Sequence, residues 1–163
     1  GAMPYDKDRE ISCVYSLSSL KRELERYAVR FSNYEGGTTI GTYLAHRAEP
    51  RGIAYIVFYG FAPAYEFTQL GLTLQAMRVE QDWKGWYDVM RRVDHMLELG
   101  LDLSDLEERS LELIDAWENR IDELEDRHPE LNVKAYMEKL GRDFDEQPFV
   151  PLDDAWDELG DLF

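Results

Sequence analysis

Three histidines, one cysteine and a glycine-threonine turn are the places where this chain offers side chains or backbone to chemistry. His46, His95 and His128 lie far apart in sequence, and none is three or four residues from another His or from the cysteine. A zinc or similar site needs ligands clustered at such spacings, so histidine-based metal binding is not expected. Cys13 falls in a β-forming stretch, which favours a small buried apolar residue over a nucleophile. The chain has no Gly-x-Ser-x-Gly elbow, Walker loop or dinucleotide fingerprint, and its carboxylates are too many for spacing to select a catalytic pair. No catalytic residue, metal or cofactor is therefore assigned.

The turn Tyr34-Glu35-Gly36-Gly37-Thr38-Thr39 precedes a helix-forming segment. Backbone N–H groups at Gly36, Gly37, Thr38 and Thr39, with the positive end of a helix dipole, could hold a phosphate or carboxylate. An ordinary threonine-capped turn is the competing reading, and Glu35 disfavours an anion. The aromatic run Tyr55, Phe58, Tyr59, Phe61 and Tyr65 offers a second feature. Its strand members suit a core, whereas Phe61 and Tyr65, in the following loop, are candidate contacts to a protein partner.

The elements that would position these residues follow from periodicity and punctuation. Ile11–Leu17 predicts a short strand. Leu20, Leu24, Tyr27 and Phe31 predict a helix from Ser18 or Ser19 to about Phe31, and Thr38 or Thr39 should cap another to about Arg47. Ile53–Tyr59 is a continuous apolar run, as in a strand of a parallel sheet covered on both faces. Helices are predicted over Glu66–Glu80 and Trp83–Leu99, the latter closed by Gly100. Ser104-Asp105-Leu106-Glu107 reads as a capping box opening a helix that carries Leu106, Leu113, Ile114, Trp117, Ile121 and Leu124 inward. Two more helices follow, over Leu131–Asp145 (with Val133, Tyr136, Met137 and Leu140 inward) and from Asp153 or Asp154 through Trp156 towards Phe163.

The fold class is α/β: a partial α/β core with few strands, at least Ile53–Tyr59, followed by a predominantly helical C-terminal subdomain. Residues 1–3 read as the remnant of a cleaved tag, 4–100 as the α/β portion and 101–163 as an acidic helical subdomain. A sheet of so few strands leaves edge and face uncovered, which predicts self-association, most simply a dimer.

The chain has 163 residues, of which 44% are hydrophobic, enough for a core. Its net charge of −16 is unevenly spread. Residues 1–80 hold nine Lys and Arg and nine Asp and Glu; residues 81–163 hold nine and 25, so the whole excess of 16 lies in the second part. Nucleic acid and anionic membrane surfaces are disfavoured partners, because both are bound by clustered cations. No apolar run approaches the roughly 20 residues that span a bilayer. With a single cysteine there is no internal disulfide, which fits a reducing, cytoplasmic location.

Three stretches resemble bacterial members of the proteasome assembly chaperone family. Ser32-Asn33-Tyr34-Glu35-Gly36-Gly37-Thr38-Thr39-Ile40-Gly41 is similar to the family's Asn-Tyr-Glu-Gly-Pro-Thr-Gly-Ile turn, with Gly37 in place of the usual proline. Gly52-Ile53-Ala54 through Phe61-Ala62-Pro63-Ala64-Tyr65 resembles the following strand and Val-Pro-His-Tyr loop, with Ala64 where histidine is common. Leu101-Asp102-Leu103-Ser104-Asp105-Leu106-Glu107-Glu108 resembles the start of the family's C-terminal helical segment. The resemblance covers roughly residues 32–163. It implies a nucleoside-phosphorylase-like α/β core without demonstrated catalysis, a helical region after it, and a role in assembly. It also implies a further run of strands before the part seen here, so that this chain would be the second half of such a protein or a shortened relative. The ending Asp161-Leu162-Phe163 places its aromatic last, unlike the hydrophobic-aromatic-any tail of archaeal members.

The resulting expectation is a non-enzymatic, assembly-chaperone-like protein acting on a protein partner of unknown identity. A small-molecule binder or enzyme using a crevice near Gly36–Thr39 and Phe61–Tyr65, for a nucleoside or phosphate-like ligand, is the alternative. A third reading, an acidic module imitating a polyanion, is weakened because the acids lie opposite apolar stripes, as solubility alone requires.

Overall fold

The computed structural model describes residues 3–32, 39–67 and 77–150. The chain is α/β, with short strands concentrated before Trp83 and helices after it. It divides into two compact units, each built from separated segments: residues 1–9, 61–88 and 102–146 form one, and residues 10–60, 89–101 and 147–163 the other.

The second of these units holds a three-stranded sheet. Strand β1 (Ile11–Tyr15) lies between β2 (Arg30–Phe31), parallel to it, and β3 (Ile56–Gly60), antiparallel to it, with Cys13 opposite both Phe31 and Phe58. The Ile53–Tyr59 run thus starts its strand three residues later than expected, and it pairs antiparallel rather than lying in a parallel sheet. Its residues through Tyr59 are half-buried rather than covered on both faces. A continuous apolar run does not by itself separate these cases, since the period-two signal of a half-covered strand is lost when both faces are apolar. Ser16 anchors the approach to β3, its hydroxyl donating to the Ile53 carbonyl at 2.6 Å and accepting from the Tyr55 N–H at 2.9 Å.

The predicted helix through Phe31 is broken. Ser18–Leu20 and Glu25–Tyr27 are 3-10 turns flanking the single α-turn α1 (Lys21–Leu24). Ala28 then adopts a left-handed conformation (φ 46°), which ends the helical path and sends Phe31 into β2. Helix α2 (Ile40–Ala48) forms as expected behind Thr39. Its buried face is Gly41, Ala45 and Ala48, and a Cβ on Gly41 would sit 2.5 Å from the Tyr59 hydroxyl and 3.1 Å from Val57. The glycine is required by that close approach to β3.

In the other unit, β4 (Ala64–Tyr65) and β5 (Met77–Arg78) pair antiparallel. The helix expected over Glu66–Glu80 is therefore corrected at its end, where Met77 and Arg78 are strand; residues 68–76 lie outside the described residues. Helix α3 (Trp83–Leu97) supplies this unit through Asp88 and the sheet-bearing unit from Val89. It ends at Leu97, two residues before the expected Leu99, because Glu98 already turns left-handed (φ 50°); Gly100 is left-handed too (φ 65°) but lies beyond the helix end. Helix α4 (Ser104–Arg127) ends at His128, and α5 (Val133–Asp143) follows. Ser104 is the first helical residue rather than the cap. The capping carboxylate is Asp102, which accepts from the Ser104 N–H at 3.0 Å and hydroxyl at 2.6 Å. These bonds hold the Asp102 carboxyl below its ordinary pKa.

The core of this unit is Tyr65, Phe67, Met77, Trp117, Ile121 and Val133, with Leu113, Leu124, Met137 and Leu140 partly buried against it. Tyr136, expected inward, is exposed at the rim, edge-on to Phe67. The helix expected from Asp153 onward lies outside the described residues.

Candidate interaction groove

The expected anion turn is described only at its last residue; Gly36, Gly37 and Thr38 lie outside the described residues. Thr39 caps α2. Its Oγ1 accepts from the Thr42 N–H at 3.2 Å, and its own N–H donates to the Thr42 hydroxyl at 2.9 Å. The Thr39 hydroxyl also bonds the Tyr59 hydroxyl at 2.8 Å. The side chain is committed to its own helix and to β3.

Phe61 and Tyr65 belong to the other unit and have opposite environments. Phe61 is 51% exposed. Tyr65 is 0% exposed, packed edge-on against Trp117 with ring centroids 5.5 Å apart, and its hydroxyl donates to the Met3 carbonyl at 2.6 Å. Burial pushes its phenol well above the ordinary value. Tyr65 is thus a core residue with no surface for a partner, a correction that follows from its place in β4, whose alternation turns Ala64 out and Tyr65 in. Met3, read from sequence as tag remnant, is buried in this unit.

Cys13 is buried in β1, and desolvation pushes its thiol up to about 11, so at neutral pH it holds its proton and is a poor nucleophile. His46 is exposed, His95 packs against Tyr27 and Phe149, and His128 pairs with Glu130. Among the described residues no group of His, Cys, Asp or Glu could hold a metal ion, and no helix is long and apolar enough to cross a membrane.

A groove that the sequence did not single out lies in the same unit as Phe61. It opens between the β5 exit, the first turn of α3 and one flank of α4, with a volume of about 950 Å³. Arg78, Trp83, Arg109, Leu113, Trp117 and Arg120 line it, with Glu80 and Glu112. Trp83 is held from two sides: the Trp86 ring meets it edge-on at 4.7 Å, and the Arg109 guanidinium lies 4.7 Å over its face. Arg109 Nε in turn donates to Asp105 at 2.9 Å, which fixes the guanidinium while leaving its other donors available. Arg120 lies 6.0 Å from the ring centre of Trp117. A smaller adjoining pocket is lined by Phe67, Met77, Arg120, Leu124, Arg127 and His128, with Glu123.

A cluster of charged groups lies next in sequence to the groove residues Gln81 and Trp83. Arg9, 1% exposed, grips Asp82, and its Nη1 donates to the carbonyls of Tyr5 and Lys7 at 2.9 and 3.0 Å. Lys84 bridges Asp8 at 2.7 Å and Asp88 at 3.3 Å. This pins the N-terminal segment to the start of α3, immediately next to Trp83.

Arginine and tryptophan anchored on paired helices are what protein interfaces use for their strongest contacts, because both offer large contact area and a polar handle. The signal was present in the sequence as Arg109, Arg120 and Arg127, but only the positions of Arg78 and Trp83 beside them turn a row into a groove. No family model, curated protein or solved structure matches the chain.

Proposed function

We propose that the chain is a cytoplasmic, non-enzymatic protein that works through protein–protein contacts, in the manner of an assembly chaperone, and that the arginine–tryptophan groove receives the partner. The observation that carries this reading is the composition of the groove: the guanidinium of Arg109 stacked on the Trp83 ring, with Arg78 and Arg120 in the same lining. The resemblance in residues 32–163 to the proteasome assembly chaperone family supports the same class of activity.

The test is site-specific photocrosslinking in the cell that makes the protein. A photoreactive residue replacing Arg78, in the groove, should give discrete protein adducts; one replacing exposed Leu111, on the opposite flank of α4, should not. Equal adducts from both positions, or none from Arg78, overturn the reading. So does a saturable thermal stabilisation by phosphate or a nucleoside, which would favour a small-molecule site.

A further inference from the structure

Helix α4 carries ten Asp and Glu residues and three Arg. Arg109, Arg120 and Arg127 are spaced eleven and seven residues apart, close to three turns and two turns, so all three lie along one line of the helix. The line runs along the border of the buried stripe that contains Trp117 and Ile121, where arginine stems rest on apolar surface and the charged ends reach solvent. The first two members line the main groove and the last two the adjoining pocket, so Arg120 belongs to both. Arg78 adds a cation from β5 across the main groove. Arg78, Arg120 and Arg127 form no ion pair with a described residue. A chain of net charge −16 thus keeps Arg78, Arg120 and Arg127 along the groove and its adjoining pocket, with Arg109 paired to Asp105 and Glu80, Glu112 and Glu123 interspersed.

We propose, resting on the interaction reading above, that this track binds an acidic protein segment bearing an aromatic or large apolar side chain. The carboxylates of the segment meet Arg120 and Arg127, Arg78 closes on it from β5, and the apolar side chain enters beside Trp83 and Leu113. At about 1.5 Å per residue the track is about 27 Å long, which suits about eight residues of extended chain. Charge complementarity selects this occupant over nucleic acid. Glu80, Glu112 and Glu123 alternate with the arginines and would oppose a continuous phosphate backbone, whereas discrete carboxylates can fall at Arg78, Arg120 and Arg127 and avoid them.

The probe is a fluorescein-labelled peptide of Asp and Glu with two central tryptophans, read by fluorescence anisotropy on the full chain. Binding should weaken about tenfold when its acids become Asn and Gln, and about tenfold when the protein carries Arg120→Gln with Arg127→Gln. Arg47→Gln, an exposed arginine on α2, should leave affinity unchanged, and circular dichroism should show all variants folded. If the acidic and neutral peptides bind equally and Trp83→Ala weakens both, the acidic specificity is wrong while the groove remains an interaction site. If neither peptide binds, the inference falls whatever the photocrosslinking shows. If single-stranded oligothymidine competes more tightly than the acidic peptide, the occupant is nucleic acid and the inference is overturned.

Discussion

Arg9 and Asp82 form a two-pronged pair, with Arg9 Nη2 donating to Asp82 Oδ1 at 2.9 Å and Nε to Oδ2 at 3.0 Å. The Arg9 side chain is wholly buried. A charge in that position is tolerable only while it is paired and hydrogen-bonded, and here the carboxylate and two backbone carbonyls engage all three of its nitrogens. Arg9→Ala removes the cation and leaves the Asp82 carboxylate with only the Gly85 N–H as a partner among the described residues. We expect a loss of about 3–5 kcal/mol in urea unfolding, as for other broken buried pairs. A loss below about 1 kcal/mol, the range of exposed pairs, would show that the cluster is solvated.

Asp88 sets a pH dependence in the same cluster. It is 1% exposed, and desolvation raises its pKa above the ordinary value of 3.8 despite the opposing pull of Lys84 and the Arg9 N–H. A raised folded-state pKa means that the native chain binds the proton more tightly than the unfolded one. The associated stability is fully present below 3.8 and is lost as pH rises through the folded value. In Asp88→Asn that loss should be absent, so the difference between variant and parent should move in the variant's favour as pH climbs through and beyond the carboxylate range. Chemical denaturation at a series of pH values measures it, and two parallel curves would contradict it.

Trp117 is the hub of the helical core, stacked on Tyr5 at 6.1 Å and edge-on to Tyr65 at 5.5 Å. Trp117→Ala should cost about 3–5 kcal/mol as a core truncation. Calorimetry giving a melting temperature within a degree or so of the parent would place the buried stripe elsewhere.

Self-association has a specific surface to test. On α2, Ile40 (75% exposed), Tyr43 and Leu44 fall at spacings of three and four, so they line one face, and Ile53 is exposed as well. Such an apolar stripe is a recurrent dimer contact. Light scattering should show a dimer at high micromolar concentration, returned to monomer by Leu44→Glu. A monomeric parent would remove the expectation.

Much of this fold could be read from residue order. The helix over 104–127 and its inward Trp117 and Ile121 follow from a 3.6-residue stripe, whereas Gly100 marked the end of α3 only to within two residues, since Glu98 turns left-handed first. What escaped is non-local. Nothing within residues 25–31 announces that Ala28 turns left-handed, and Met77–Arg78 becomes strand only by pairing with Ala64–Tyr65. The site shows the same division. The arginine row is periodic and visible in α4 alone, whereas the ring of Trp83 beneath Arg109 depends on two helices meeting.

The 3-10 turn at Glu25–Tyr27 is terminated from far away. Buried Arg92 donates to the Tyr27 carbonyl at 2.7 Å through Nε and to the Ala28 carbonyl at 3.3 Å through Nη2, satisfying groups that a helix end would otherwise leave to water. During synthesis, residues 18–28 leave the ribosome well before Arg92 is made. The bonds that close this turn therefore come from a side chain more than sixty residues downstream. Contacts of such sequence separation carry a larger loop-closure cost than a helix's own bonds, so this turn end adds to the non-local share of the fold, the share that slows folding.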